Sequence, residues 1–339
     1  MTIRSNLLFV LAVSVFMTAC NGGKTQNSEK NTEQKKAEQT FSALPFPDVQ
    51  VPSMLSDRVQ VFEHMAENYW NGITDPSRHY PCDSSYVSGV DRNVVEQKFA
   101  DWTRVLDEVS LEVALMSVGN LCDRAMACER RDTSSNILET FVRLADKYFY
   151  DPNSPLRNEE YYLPFVTRYA SYEGLSEVER KKYEREARLC ALNRIGTKAT
   201  DFRFCDRYGK IRNLHGIEAD LILLFFSNPG CNACMDIINA LKDETIVTMI
   251  DRGQMQILNI YIDEDIQAWR SYMPIYPEQW YNGFDPDFVL KGDQMYNIRA
   301  IPSLYLLDKE KNVLMKDVPP EVLFMYLKSV CDTGMESYQ

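Results

Sequence analysis

Histidine is scarce in this chain, three residues in 339, and His64 and His79 stand isolated from other metal-ligating side chains. Only one Cys-x-x-C is present, Cys231-Asn232-Ala233-Cys234, with no second such pair and no nearby Cys/His pair to complete a four-ligand zinc site. No metal and no other cofactor is therefore expected. Basic charge is also short: 37 Lys and Arg face 49 Asp and Glu, a net charge of -12. That balance argues against nucleic acid as a partner and against electrostatic adhesion to anionic lipid. The apolar run Leu7 to Phe16 is too short to cross a membrane, which takes about 20 apolar residues.

What the first residues do contain is a processing pattern. Arg4 gives a positive start, the apolar run follows, and Met17-Thr18-Ala19-Cys20 supplies small residues before a cysteine. This resembles a bacterial lipoprotein signal over residues 1–19, which implies lipidation at Cys20 and a mature protein anchored to a membrane through it. Residues 20–45, polar and rich in Lys, Gln, Glu and Asn, cannot bury enough apolar surface to order themselves and read as a flexible tether. The expected location is the bacterial cell envelope, lipid-anchored and facing the periplasm. Nine cysteines suit an exported protein better than a reducing cytosol. Besides Cys20, Cys231 and Cys234, this leaves Cys82, Cys122, Cys128, Cys190, Cys205 and Cys331, whether as structural bridges or as small buried apolar residues. Cys122 and Cys128 share one helix pattern and point in different directions, so they are not expected to bridge each other.

Residues 46–190 repeat apolar side chains at threes and fours. The stripes are Val59, Phe62, Ala66, Tyr69 and Trp70; Val95, Phe99, Trp102 and Leu106; Leu111, Leu115, Val118, Cys122 and Ala125; and Ile137, Phe141, Leu144, Ala145 and Tyr148. Ser176 and Glu179 have capping-box spacing. Alternating patterns are scarce, so an all-helical domain is expected. Glu159 and Glu160 adjoin at a helix start, where the helix dipole favours them, and are not read as an acid/base pair. The stretch Lys147 to Glu159 is similar to a helical module of uncharacterised function found ahead of thioredoxin-like domains in lipoproteins of Bacteroides-type bacteria. With no reactive constellation of its own, this domain is expected to contact a client or partner.

In residues 191–339 the apolar strand Phe225-Phe226 ends in the turn Ser227-Asn228-Pro229-Gly230 and opens into a helix on the Cys-x-x-C. Cysteines three apart on one helical turn can close a small disulfide ring. Cys231, at the helix N-terminus, sits where unpaired N–H groups and the dipole stabilise an anion. It is therefore the expected nucleophile and Cys234 the resolving thiol. Farther on, Ile301-Pro302 enters a second apolar strand. With the segment Ile195 to Phe202, Gly209-Lys210 and Leu214, these motifs resemble the TlpA-like branch of the thioredoxin superfamily. That resemblance implies a thioredoxin-like α/β sandwich, so the fold class expected for the whole chain is two-domain α + α/β. It further implies a cis Ile301-Pro302 bond packed against a redox disulfide Cys231-Cys234, with the backbone at Ile301 and Pro302 aligning a client.

The chain departs from the superfamily's pattern in two places. Gly230 precedes the first cysteine where many members have Trp, and Phe225 and Ile237 stand where members carry acids, so no carboxylate is evident as proton acceptor for Cys234. The expected function is a membrane-tethered thiol:disulfide oxidoreductase reducing disulfides of exported proteins with electrons from an unidentified donor. The alternative is a non-enzymatic interaction lipoprotein whose helical domain binds a partner.

Overall fold

The computed structural model describes residues 42–80 and 83–333. The expected signal peptide, Cys20, most of the expected tether and Cys82 lie outside them. Among the described residues no helix is long and apolar enough to cross a membrane.

The first half is helical: α1 (Arg58–Asn68), α2 (Arg92–Leu106), α3 (Leu111–Arg131), α4 (Ile137–Ala145), α5 (Glu159–Ala170) and α6 (Glu177–Cys190). Local chemistry sets their starts. Asp57, Ser110 and Asn158 each accept a backbone N–H at a helix N-terminus, and Ser176 with Glu179 forms the capping box. The stripes converge on an aromatic core in which Trp70 meets Phe141 edge-on at 4.8 Å and Phe99 lies 5.2 Å from Phe149. Val59, counted in the first stripe, is instead exposed.

Two local features were not expected. A small hairpin, β1 (Tyr86–Val87) and β2 (Val90–Asp91), interrupts the helices, and its turn residues Ser88 and Gly89 both take positive φ, the signature of a tight two-residue loop. The helix α4 also continues into a π-helical turn at Asp146–Tyr150.

The second half is a seven-stranded mixed sheet in the order β4-β3-β7-β6-β5-β8-β9. Its strands are β3 (Arg203–Asp206), β4 (Ile211–Asn213), β5 (Leu221–Phe226), β6 (Met255–Tyr261), β7 (Tyr281–Phe284), β8 (Ser303–Asp308) and β9 (Val313–Lys316). All six residues of β5 are buried, as a strand covered on both faces requires. Leu221, Leu223 and Phe225 face one layer, which holds the helices α7 (Asn232–Ala240), α8 (Glu244–Asp251) and α11 (Pro320–Thr333). Ile222, Leu224 and Phe226 face the other.

The helix that opens on the cysteines is short, nine residues. It breaks at Leu241, and Asp243 caps a new helix by accepting from the Thr245 amide. The long aromatic connection 262–299 also hides structure: α9 (Ile266–Tyr272), α10 (Val289–Gly292) and β7, which pairs parallel to β6 and antiparallel to β3. Within it, Tyr276 and Trp280 are core residues of the α7 layer, and Trp269 packs on Phe284 at 4.9 Å.

Candidate active site

The strand β5 runs parallel to β6 and delivers its carboxyl end, through Ser227-Asn228-Pro229-Gly230, to the start of α7. Gly230 has φ 76, the left-handed region that a side chain resists. That explains why this chain carries glycine rather than tryptophan before the first cysteine. Cys231 is the N-cap of α7, its sulfur 3.2 Å from the Cys234 amide. It is bonded to Cys234 as a disulfide, with Cα atoms 5.2 Å apart. Cys231 is half-buried at the rim, whereas Cys234 is 1% exposed and packs among Phe225, Ile237 and Leu304.

The peptide bond Ile301-Pro302 is cis. The Ile301 carbonyl oxygen lies 3.9 Å from the Cys231 sulfur. The register holds it there, since Ser303, the first residue of β8, pairs with Phe226 at the end of β5. The loop before the cysteines is tied on its other side, where Asn228 donates to Asp263 at 2.5 Å and Lys291 donates to the same carboxylate at 2.8 Å.

Among the described residues no carboxylate hydrogen-bonds to Cys231 or Cys234. Asp236, two residues beyond Cys234, is exposed. A buried polar group of a different kind occupies the sheet face of Phe225. Asn259 pairs in register with Phe225 and so shares its face, and its Oδ1 accepts from Ser227 Oγ at 2.5 Å. Tyr276 OH sits 3.4 Å from that hydroxyl, and burial pushes the phenol's pKa up. Asn259 was not singled out in the sequence; Ser227 was read only as part of the turn, and Tyr276 only as one of the rings of the aromatic connection 262–299 that could either wall a groove beside Cys231 or simply pack.

The other described cysteines are not bonded to Cys231 or Cys234. Cys122, Cys128 and Cys190 are buried thiols of the helical half, and burial pushes the Cys122 thiol up to about 12. Cys205 and Cys331 lie partly buried in the sheet half.

Sequence reasoning also missed the joint between the halves. Glu159 and Glu160, in the first turn of α5, are each 2% exposed and reach across to the sheet half. Glu160 accepts from Arg194 Nη2 at 2.6 Å and from the Ile195 amide at 3.1 Å. Glu159 faces Arg299 at 2.9 Å and Lys316 at 2.9 Å, and accepts from Asn297 at 2.8 Å. Arg299 continues to Asp317 at 2.7 Å, and Lys316 donates to the Cys190 carbonyl at 2.7 Å. Arg157 donates to the carbonyls of Asp317 and Val318, both at 2.9 Å. The two glutamates are thus anchors of the joint as well as favourable charges at a helix start. A groove of about 1280 Å³ runs along it, walled by Tyr150, Tyr183, Ile298 and Arg299 among others, and neither Cys231 nor Cys234 lines it.

Comparison with known proteins agrees with this architecture. The family described as a domain of unknown function, DUF5106, matches residues 19–193, and the family described as thioredoxin-like matches residues 219–313. A thioredoxin-like protein from Bacteroides caccae, known from its crystal structure, is 34% identical over 85% of this chain and 99% of its own, with a TM-score of 0.74. The C-terminal domain of an uncharacterized protein from Bacteroides fragilis is 39% identical over 40% of this chain and 98% of its own, with a TM-score of 0.39. The thioredoxin domain of a thiol-disulfide oxidoreductase from Bacteroides vulgatus is 19% identical over 41% of this chain and 98% of its own, with a TM-score of 0.37. No curated protein matches. With a helical DUF5106 domain ahead of a mixed sheet that carries a disulfide at a helix start, the chain belongs to the thioredoxin-like proteins.

Proposed function

We propose that the protein is a thiol:disulfide oxidoreductase that reduces disulfides of exported proteins while tethered to a membrane through lipidated Cys20, facing the periplasm. The observation that carries the redox reading is the Cys231-Cys234 disulfide at the start of α7, with Cys231 at the rim and Cys234 buried beneath it. In the dithiol form, Cys231 is the group a client reaches. The helix N-terminus favours its thiolate.

The Cys231 thiolate attacks one sulfur of the client disulfide. A Cys231–client S–S bond forms, the client S–S bond breaks, and the other client sulfur leaves as a thiolate that takes up a proton. Cys234, deprotonated, then attacks the Cys231 sulfur, which closes the internal disulfide and releases the second client thiol. Two electrons pass to the client. A dithiol donor, unidentified as yet, returns them to the chain. A client backbone would lie along Ile301 and Pro302 as an added strand, its scissile sulfur brought to Cys231.

The test is turnover of a protein disulfide such as insulin with dithiothreitol as donor. The full chain accelerates it over dithiothreitol alone and Cys231→Ser does not. Equal rates for the two proteins would remove the enzymatic reading and leave the interaction role. For the tether, expression in a Gram-negative host with labelled fatty acid should label the wild type and not Cys20→Ala.

A further inference from the structure

The joint between the halves contains two acids and two bases, Glu159, Asp317, Arg299 and Lys316, whose side chains are each 7% exposed or less. Such a group is costly to bury, and well-packed apolar side chains of similar volume would hold two domains together at least as firmly. What ion pairs add is direction, and here the direction leads to the redox site. Arg299 precedes Ile301-Pro302 by two residues, and Ser303 follows it. Asp317 takes both, accepting from Arg299 at 2.7 Å with one oxygen and from Ser303 Oγ at 2.9 Å with the other. Its own amide donates to the Leu304 carbonyl at 2.8 Å, in a left-handed conformation with φ 45. Both shoulders of the Ala300-Ile301-Pro302 loop are therefore stapled to one carboxylate.

The helical half closes the staple from outside. Glu159 holds Arg299 on one side of the loop and Lys316, the residue before Asp317, on the other. Tyr150, from the π-helical turn, lies under the Arg299 guanidinium at 4.8 Å and stacks on Tyr162 at 4.4 Å. Arg157 fixes the chain beyond Asp317 through its two carbonyl contacts. Glu159, Tyr150 and Asp317 thus surround the Arg299 guanidinium.

We infer that Glu159 is a positioning residue for the redox site: through Arg299 and Lys316 it sets the Ile301-Pro302 loop against Cys231, so that the helical domain is part of the machinery that aligns a client disulfide. This rests on the oxidoreductase reading for its kinetic consequence and on the geometry alone for its structural one.

Glu159→Gln by itself would leave two buried cations facing one acid and is liable to unfold the chain. The informative variant is Glu159→Gln combined with Lys316→Met in the full-length protein, which removes one acid and one base and leaves the Arg299–Asp317 pair balanced. Two readouts apply once a cooperative thermal transition shows the variant folded. Amide hydrogen exchange at Ser303 and Asp317 should quicken roughly tenfold or more, while Leu224 in the middle of β5 keeps its protection. With insulin as substrate, kcat/KM should fall roughly tenfold, the scale expected for a small misplacement of a binding loop, while alkylation of Cys231 by iodoacetamide stays within about twofold of wild type. A purely structural joint would alter the melting temperature and leave both comparisons unchanged, and that result overturns the inference. If the wild type does not reduce insulin, the oxidoreductase reading fails and the exchange measurement alone decides the positioning role.

Discussion

Replacing Glu160 by alanine removes the carboxylate that pins the segment joining the two domains. Three donors converge on it: Arg194 Nε at 2.9 Å, Arg194 Nη2 at 2.6 Å and the Ile195 amide at 3.1 Å. The acid is 2% exposed but the Arg194 side chain is 37% exposed, so water recovers much of the guanidinium when the acid is gone. A fully buried pair broken on one side costs about 3–5 kcal/mol, and solvent access at Arg194 takes this toward the lower end. The Ile195 amide, left without its acceptor, adds about 1 kcal/mol. The sum is about 4 kcal/mol, which at this chain length lowers the melting temperature by roughly 6 °C. The comparison is Glu177→Ala, which breaks a pair to Lys181 of the same 2.6 Å length on an exposed helix face. That change should cost less than about 0.5 kcal/mol. Urea unfolding followed by tryptophan fluorescence measures both, with Trp70 and Trp102 in one domain and Trp269 and Trp280 in the other. A loss below about 1 kcal/mol for Glu160→Ala, or equal losses for the two variants, would refute the view that burial separates the anchor from the surface pair.

Two further outcomes follow from the same geometry. In the reduced protein Cys231 should react with iodoacetamide near pH 7 much faster than Cys234, since one is at the rim on a helix start and the other is 1% exposed; equal rates would reverse their roles. Cys122, whose thiol burial raises to about 12 from 9.0, keeps its proton in the native state where the unfolded chain has lost it. Its stabilising contribution is therefore intact below pH 9 and is lost as pH rises from there toward 12, at up to about 1.4 kcal/mol per pH unit. Cys122→Ala should flatten that alkaline decline in urea unfolding, and an unchanged slope would show that the thiol does not carry it.

The placement of the two cysteines and of Ile301-Pro302 was legible in the sequence because it is local. A buried strand, a glycine-containing turn and two cysteines on one helical turn are consecutive, and Ile301-Pro302 announces itself at the head of a second apolar strand. The helical stripes and the Ser176 cap were legible for the same reason. β7 was not, because Tyr281-Asn282-Gly283-Phe284 places two poor strand formers in the middle of a four-residue strand that is held by pairing on both sides. Nor was the joint. Glu159, Arg299, Lys316 and Asp317 come from two distant stretches of chain, and each taken alone is the kind of residue that normally lies solvated. The polar group Ser227, Asn259 and Tyr276 was hidden in the same way, since only the register of β5 against β6 places Asn259 on the face of Phe225.

The most direct measurement of the central claim is the site of the mixed disulfide. Reduced Cys234→Ser, incubated with an oxidised protein substrate and digested without reductant, should yield a client peptide linked to Cys231, and the same treatment of Cys231→Ser should yield none. A covalent adduct mapped to Cys205 or Cys331, or no adduct with either variant, would contradict the assignment of Cys231 as the attacking thiol.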